Sequence, residues 1–139
     1  MVFRSLNRTF VPYYYVSFLT MTRTKELVQA ITKGIQEKKG QGIAIADMNG
    51  IDGAICNYFI ICQGNSPMQV QAITDSVEEM TWKETREKPV HIVGQENAVW
   101  VAMDYTDVIV HIFVPDMREY YNLENLWEDA PLERVPDID

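Results

Sequence analysis

Apolar and polar positions follow one another along this chain with two different spacings, which predict helices and strands. In residues 22–39 the apolar side chains recur every three or four positions, as on one face of a helix. Residues 43–48 form a short apolar run. Residues 58–63 form a nearly continuous one, which is typical of a central strand buried on both faces. One helix followed by two strands is therefore predicted for the N-terminal half.

A second helix has the clearest start signal in the chain. Ser66 is predicted to be its N-cap and Pro67 its first residue, and Gln69 completes a capping box. The helix is predicted to run to about Glu87, with an apolar stripe on one side and charges on the other. Pro89 is predicted to stop it.

Three strands and a last helix are predicted for the remainder of the chain. The strands are predicted at residues 90–93, 99–104 and 107–114. Tyr105 and Thr106 form a predicted two-residue hairpin loop, although Thr is poorly suited to the positive φ of a type I′ turn. Asp116 is predicted to cap the last helix, and residues 128–139, which lack periodicity, are predicted to be an acidic flexible tail. This order of elements predicts a single α/β domain, with a mixed sheet of about five strands and helices on its faces.

The predicted hairpin separates its side chains into two faces. The opposed pairs are predicted to be Asp104–Asp107, Ala102–Ile109 and Trp100–His111. The other face is wholly apolar and is predicted to be core: Val101, Met103, Val108, Val110 and Ile112. Two opposed carboxylates destabilise a hairpin by roughly 0.2–1 kcal/mol, and a basic partner would relieve that repulsion while covering Trp100. The alternative is that each Asp simply flanks a turn. For His111 we favour a structural role packed on Trp100.

Charge is distributed unevenly over the 139 residues, whose net charge is −8. Residues 1–95 hold ten Lys and Arg against nine acids, whereas residues 96–139 hold only Arg118 and Arg134 against eleven acids. Such an acidic region repels nucleic-acid phosphates and favours a basic protein partner. A solvated surface kept for solubility is the alternative, and charge alone favours it.

Residues 1–20 differ from the rest, because they contain two arginines, no acid and an aromatic run interrupted by Pro12. The segment is too short and broken to span a bilayer, and it lacks a signal-peptide pattern. We hypothesise that Met21 is the natural start. Recovery of peptides from residues 4–20 of the native protein by mass spectrometry would contradict this. The two cysteines form no CxxC pair, which fits a reducing cytosol.

Signals for catalysis are weak. The turn from Gly64 to Ser66 lies between a strand and a helix, where nucleotidyltransferase domains bind phosphate, but no pair of alternating carboxylates follows on a strand to hold metal ions. Cys62 is predicted to be buried in a strand, and Cys56 has no local base. We therefore predict no catalytic residue and no cofactor. A nucleotidyltransferase-like enzyme that binds a nucleotide at this turn is the alternative.

A metal site is also not indicated. His91, His111 and Glu96 have no ligand spacing that would require one, so none is predicted, and His91 is interpreted as structural.

Three stretches together resemble the ribosomal silencing factor (RsfS, or Iojap-like) family. They are residues 94–100 (GQENAVW), 104–113 (DYTDVIVHIF) and 118–127 (REYYNLENLW). The resemblance covers about residues 21–131, and we assign the domain itself to residues 21–127. Asn57, Gly42 and Thr106 depart from the residues common in the family, and Thr106 replaces the usual turn glycine.

The resemblance implies a fold and a function. Family members have a nucleotidyltransferase-like fold without the catalytic carboxylates. They bind the large ribosomal subunit through its basic ribosomal protein L-fourteen, block joining of the small subunit, and often form homodimers when free. Carried over, the expected contact residues are Glu96, Trp100, Asp104, Asp107, His111, Tyr120, Tyr121 and Leu126. A cytoplasmic translation repressor with little direct nucleic-acid contact is thus expected. A generic dimeric scaffold with another basic partner remains an alternative.

Overall fold

A computed structural model describes residues 13–127 and 129–138 and, within them, the side chains of residues 22–125 and 129–138. Its helices are α1 (Tyr13–Glu37), α2 (Pro67–Thr85) and α3 (Pro115–Tyr121), followed by a 3-10 helix (Leu123–Trp127). Its strands are β1 (Gln41–Asp47), β2 (Tyr58–Gln63), β3 (His91–Val93), β4 (Trp100–Asp104), β5 (Val108–Phe113) and β6 (Leu132–Val135). The first twelve residues of the segment predicted to precede the natural start lie outside the described residues, and α1 continues through Met21 without a break.

The strands form one mixed sheet in the order β3-β4-β5-β2-β1-β6. β2 and β5 run parallel, whereas every other neighbouring pair is antiparallel. The predicted single α/β domain with a mixed sheet is confirmed, but the sheet has six strands rather than about five.

One face of the sheet packs against α1 and α2 and forms the main core. The five hairpin residues predicted to be core are all fully buried there. The inner strand β2 supplies Ile60 and Cys62, and α2 supplies Val70, Ile73 and Val77. This arrangement follows from alternation, because successive residues of a strand point to opposite faces.

The α2 helix begins as predicted but ends differently. The Oγ atom of Ser66 accepts from the Gln69 N–H at 3.1 Å, and the Gln69 side chain accepts from the Asn65 N–H at 2.7 Å. The prediction that Pro89 stops the helix was wrong. The helix ends at Thr85, and Arg86 adopts the left-handed conformation with φ 60°.

The hairpin loop is shifted by one residue from its predicted position. Tyr105 closes the loop by donating its N–H to the Val108 carbonyl at 2.8 Å, so Thr106 and Asp107 form the turn. The observed partners are Trp100–Phe113, Ala102–His111 and Asp104–Ile109, and the predicted pairs were wrong. The two faces are nevertheless those predicted. Moving the turn by one residue shifts the pairing by two residues, so each side chain stays on the same face of the sheet.

The chain after β5 differs most from the predictions. Val114, not Asp116, is the N-cap of α3, and Asn122 in the left-handed conformation separates α3 from the 3-10 helix. Residues 132–135, expected to lie in a flexible tail, instead form β6, which pairs antiparallel with β1 from Ile43 to Ala46. The tail prediction was wrong for this segment. A four-residue edge strand with charged side chains carries too short a pattern to be recognised.

Candidate partner-binding site

Trp100 lies at the centre of a group of aromatic rings on the sheet face that points away from α1 and α2. Its ring centroid is 5.1 Å from that of Phe113, its neighbour on β5, and 4.5 Å from that of Tyr121 on α3. Tyr120 packs edge-on against Tyr121 at 5.0 Å. Offset and edge-on contacts at these distances each stabilise the cluster by about 0.5–1.5 kcal/mol beyond simple burial.

His111 is the polar member of this group and is buried, with 8% of its surface exposed. Its Nδ1 atom accepts a hydrogen bond from the Trp100 indole at 3.0 Å, and its ring stacks on Phe59 at 5.6 Å. Burial lowers the pKa of His111 from 6.5 to about 4. Because Nδ1 is an acceptor, the neutral ring carries its proton on Nε2. The structural role predicted for His111 fits these contacts.

The exposed part of this cluster is apolar and aromatic. Tyr120 is 80% exposed, Val93 on the edge strand β3 is 60% exposed, and Tyr121 is 42% exposed. Val93 pairs with Ala102, the next residue of β4 on the same face as Trp100. We call the surface of Val93, Trp100, Tyr120 and Tyr121 the aromatic face. Contiguous exposed apolar side chains rimmed by polar ones are characteristic of interaction sites.

Acidic side chains lie toward the two ends of this face. Glu96 is exposed in the turn that joins β3 to β4, next to the end of β4 where Trp100 lies. Asp104 is at the opposite end of that strand, about 13 Å from Trp100 at the usual rise per residue. The Asp104 carboxylate accepts from the Thr106 N–H at 2.7 Å. The Asp104 side chain therefore stabilises the loop.

The predicted opposition of Asp104 and Asp107 was wrong. Asp107 lies in the loop, and its carboxylate accepts from the hydroxyl of Thr24 on α1 at 3.3 Å. Asp107 therefore points toward the helix side of the sheet. Asp104 instead lies between Ile109 on β5 and the exposed His91 on β3.

The eight predicted contact residues thus separate into groups. Trp100, His111, Tyr120 and Tyr121 are brought together, with Glu96 and Asp104 at the ends of β4. Asp107 is not part of this surface, and the side chain of Leu126 lies outside the described residues. Val93 and Phe113 lie on the same sheet face as Trp100 but were not among the predicted contact residues. Strict alternation along β3 and β5 would have revealed both.

The turn at residues 64–66 is poorly suited to hold phosphate. The Gly64 N–H donates to Phe113, the Asn65 N–H donates to the Gln69 side chain, and the Gln69 N–H donates to Ser66. Three of the backbone donors that a phosphate would use are therefore already satisfied. Among the described residues, no group of three His, Cys, Asp or Glu side chains is arranged to hold a metal ion.

Both cysteines are buried, Cys56 in the loop before β2 and Cys62 within β2, where its burial was predicted. Burial raises the pKa of the Cys56 thiol to about 11 and that of Cys62 to about 12. Both thiols are therefore protonated at neutral pH and are poor nucleophiles.

Comparison with known proteins identifies the family. Residues 21–139 match the family described as "Ribosomal silencing factor during starvation". This chain belongs to the ribosomal silencing factor family. The ribosomal silencing factor of Halalkalibacterium halodurans is 41% identical to it over 107 residues, 77% of this chain and 90% of that protein. A crystal structure of a Chromobacterium violaceum protein is similar, with a TM-score of 0.69 and 31% identity, covering 74% of this chain and 84% of the other.

A more distant relative comes from mouse. The protein named mitochondrial assembly of ribosomal large subunit protein 1 is 32% identical over 73 residues, which are 51% of this chain and 32% of that protein. Within the described part of this ribosomal silencing factor family member, no helix is long and apolar enough to cross a membrane.

Proposed function

We propose that this chain binds the large ribosomal subunit through the basic ribosomal protein L-fourteen and sterically blocks joining of the small subunit, which represses translation. The observation that carries the proposal is the aromatic face. It offers two exposed tyrosines beside a half-buried Trp100, with Glu96 and Asp104 toward its ends. Aromatic anchors surrounded by polar groups are the usual composition of a protein-binding hot spot.

Charge favours a basic partner over RNA. The two cations of residues 96–139, Arg118 and Arg134, both form ion pairs with Glu124. Glu124 offsets one of these two positive charges, and the other ten acids leave residues 96–139 with a net charge of −9. An acidic surface accelerates encounter with a basic protein and repels phosphates, so we expect little direct contact with ribosomal RNA.

The proposed role is regulatory and not catalytic. Relatives are named ribosomal silencing factors, and the mouse relative is named for assembly of a large ribosomal subunit. The occupied donors at residues 64–66 disfavour the nucleotidyltransferase alternative. Calorimetry with nucleoside triphosphates and magnesium tests it, because tight stoichiometric binding would support an enzyme. We further propose a cytoplasmic location and a homodimer when the protein is free.

Subunit joining is the activity to measure. Light scattering follows the association of purified large and small subunits as magnesium is raised. We expect a stoichiometric amount of this protein, incubated first with large subunits, to reduce the amplitude of joining. An unchanged amplitude would contradict the proposed function. Capture of a different basic protein from lysate, with no ribosomal protein, would favour the generic scaffold.

A further inference from the structure

The α3 helix, which carries both exposed tyrosines, has little to hold it in place by itself. It is seven residues long, none of its residues is buried, and its N-cap Val114 makes no side-chain hydrogen bond. A helix this short does not form alone in water. Its position on the sheet must therefore come from tertiary contacts, and two side chains of α3 make contacts that would fix it: Tyr121 on Trp100, and Arg118.

Arg118 connects α3 to two other elements. Its Nε donates to the Glu124 carboxylate at 3.0 Å, and its Nη1 donates to the Gln63 side-chain oxygen at 3.2 Å. The side chain is only 11% exposed. Gly42 leaves room for it, because a Cβ there would lie 2.6 Å from Nη1. A rigid guanidinium that spans two partners fixes direction as well as distance.

Glu124 completes the connection on its other oxygen. The Oε2 atom pairs with Nη1 of Arg134 on β6 at 3.0 Å. We call Gln63, Arg118, Glu124 and Arg134 the clamp. The clamp therefore joins α3, the 3-10 helix, the end of β2 and the edge strand β6. Its outermost members, Gln63 and Arg134, are 71 residues apart in the sequence.

We propose that Arg118 and Glu124 are positioning residues of the aromatic face. They hold α3 against the sheet so that Tyr121 stacks on Trp100 and Tyr120 projects outward. The expected effect of the clamp on ribosome binding rests on the proposed function. The expected effect of the clamp on the Trp100–Tyr121 contact does not depend on that function.

Glu124→Gln tests this, because it keeps the shape and one acceptor but removes the charge shared by both arginines. We expect about tenfold weaker binding to purified large subunits. The effect should act through Tyr121, so in a Tyr121→Ala background the same change should weaken binding less than twofold. Glu133→Gln is the matched control. It removes an equal charge from β6 on the sheet face that packs against α1, where Glu133 lies beside Ile45 and Val28, and we expect no change in binding.

A second measurement needs no ribosome. In ¹H–¹⁵N spectra, the indole resonance of Trp100 senses the ring of Tyr121. We expect it to shift in Glu124→Gln toward its position in Tyr121→Ala, and to stay in place in Glu133→Gln. An unmoved indole resonance in Glu124→Gln would overturn the inference, whether or not the wild type binds ribosomes.

The measurements of binding to large subunits distinguish the remaining outcomes. If the clamp only stabilises the fold, Glu124→Gln lowers the melting temperature but leaves the dissociation constant unchanged while the protein is folded, which overturns the positioning role. Equal weakening in both Tyr121 backgrounds also overturns it. If the wild type does not bind but the indole resonance shifts as expected, the proposed function fails and the positioning role stands.

Discussion

The indole Nε1 of Trp100 donates a hydrogen bond to Nδ1 of His111 across two neighbouring strands, at 3.0 Å. This bond requires an unprotonated Nδ1, so a charged imidazolium would place two donors against each other. The pair thus connects the central aromatic residue of the proposed binding surface to the protonation state of a buried histidine.

Stability should depend on pH through His111. Burial lowers its pKa from 6.5 to about 4, so between these values the unfolded chain binds more protons than the folded chain. The contribution of His111 to the free energy of unfolding is fully present above about pH 6.5 and is lost as the pH falls toward 4. The total loss is at most roughly 3 kcal/mol. Urea unfolding from pH 4.5 to 7.5 measures it. We expect a His111→Phe variant, which keeps the stacking but cannot titrate, to show a flatter profile. An equal slope in both proteins would contradict the assignment.

Thr106 is held in a strained conformation at the tip of the hairpin, with φ 77°. A β-branched residue is disfavoured there, whereas glycine adopts this φ without a steric cost. We expect Thr106→Gly to raise the free energy of unfolding by about 0.5–1 kcal/mol, net of the greater flexibility of glycine in the unfolded chain. Thr106→Ala should gain less, since it keeps a Cβ. A glycine variant that is no more stable than wild type in urea unfolding would show that the loop is not strained.

Removal of residues 132–139 should destabilise the fold. Strand β6 pairs with residues 43–46 of β1, and Val135 packs against the main core. Loss of these pairs and of Arg134, an ion-pair partner of Glu124, is expected to cost about 2 kcal/mol or more. Removal of residues 138–139 alone is the control. Equal thermal midpoints for the shorter and the full chain would instead favour a dispensable tail.

Asp104 should affect binding through charge. Asp104→Asn keeps the acceptor for the Thr106 N–H, so the loop is preserved while one negative charge is lost. We expect roughly threefold weaker binding to large subunits at low salt and little difference at high salt, because exposed charges act mainly by steering and are screened. Asp75→Asn on α2, where the carboxylate accepts from Gln71, is the control and should not change binding. A loss that persists at high salt would indicate a buried contact instead.

The faces of the hairpin were predictable although its register was not. The alternation of apolar residues in β4 and β5 assigns each side chain to a face, and that assignment survives a one-residue shift of the loop. The position of the loop depends on whether Tyr105 is a turn residue. Its burial, and the contact of its hydroxyl with Thr81 on α2 at 2.9 Å, require the complete fold.

Contacts between charged side chains that are distant in the sequence could not be predicted. Arg118 and Glu124 are close along the chain, but their partners Gln63 and Arg134 come from different strands. The end of α2 could not be predicted either, because Arg86 adopts the left-handed conformation there and arginine does not favour it. The aromatic residues of the aromatic face, Trp100, Tyr120 and Tyr121, could therefore be predicted. The contacts of Arg118 and Glu124 that hold α3 in place could not.

Co-sedimentation with purified large subunits tests the central claim most directly. Tyr120 is 80% exposed and Met68, on the far helix, is 83% exposed, so alanine at either position removes a large exposed side chain without disturbing the core. We expect wild type and Met68→Ala to pellet stoichiometrically with large subunits at physiological salt. Tyr120→Ala should bind about 30-fold more weakly, as for an interface hot spot that loses about 2 kcal/mol. Absence of the wild-type protein from the pellet, or equal binding of all three proteins, would contradict docking through the aromatic face.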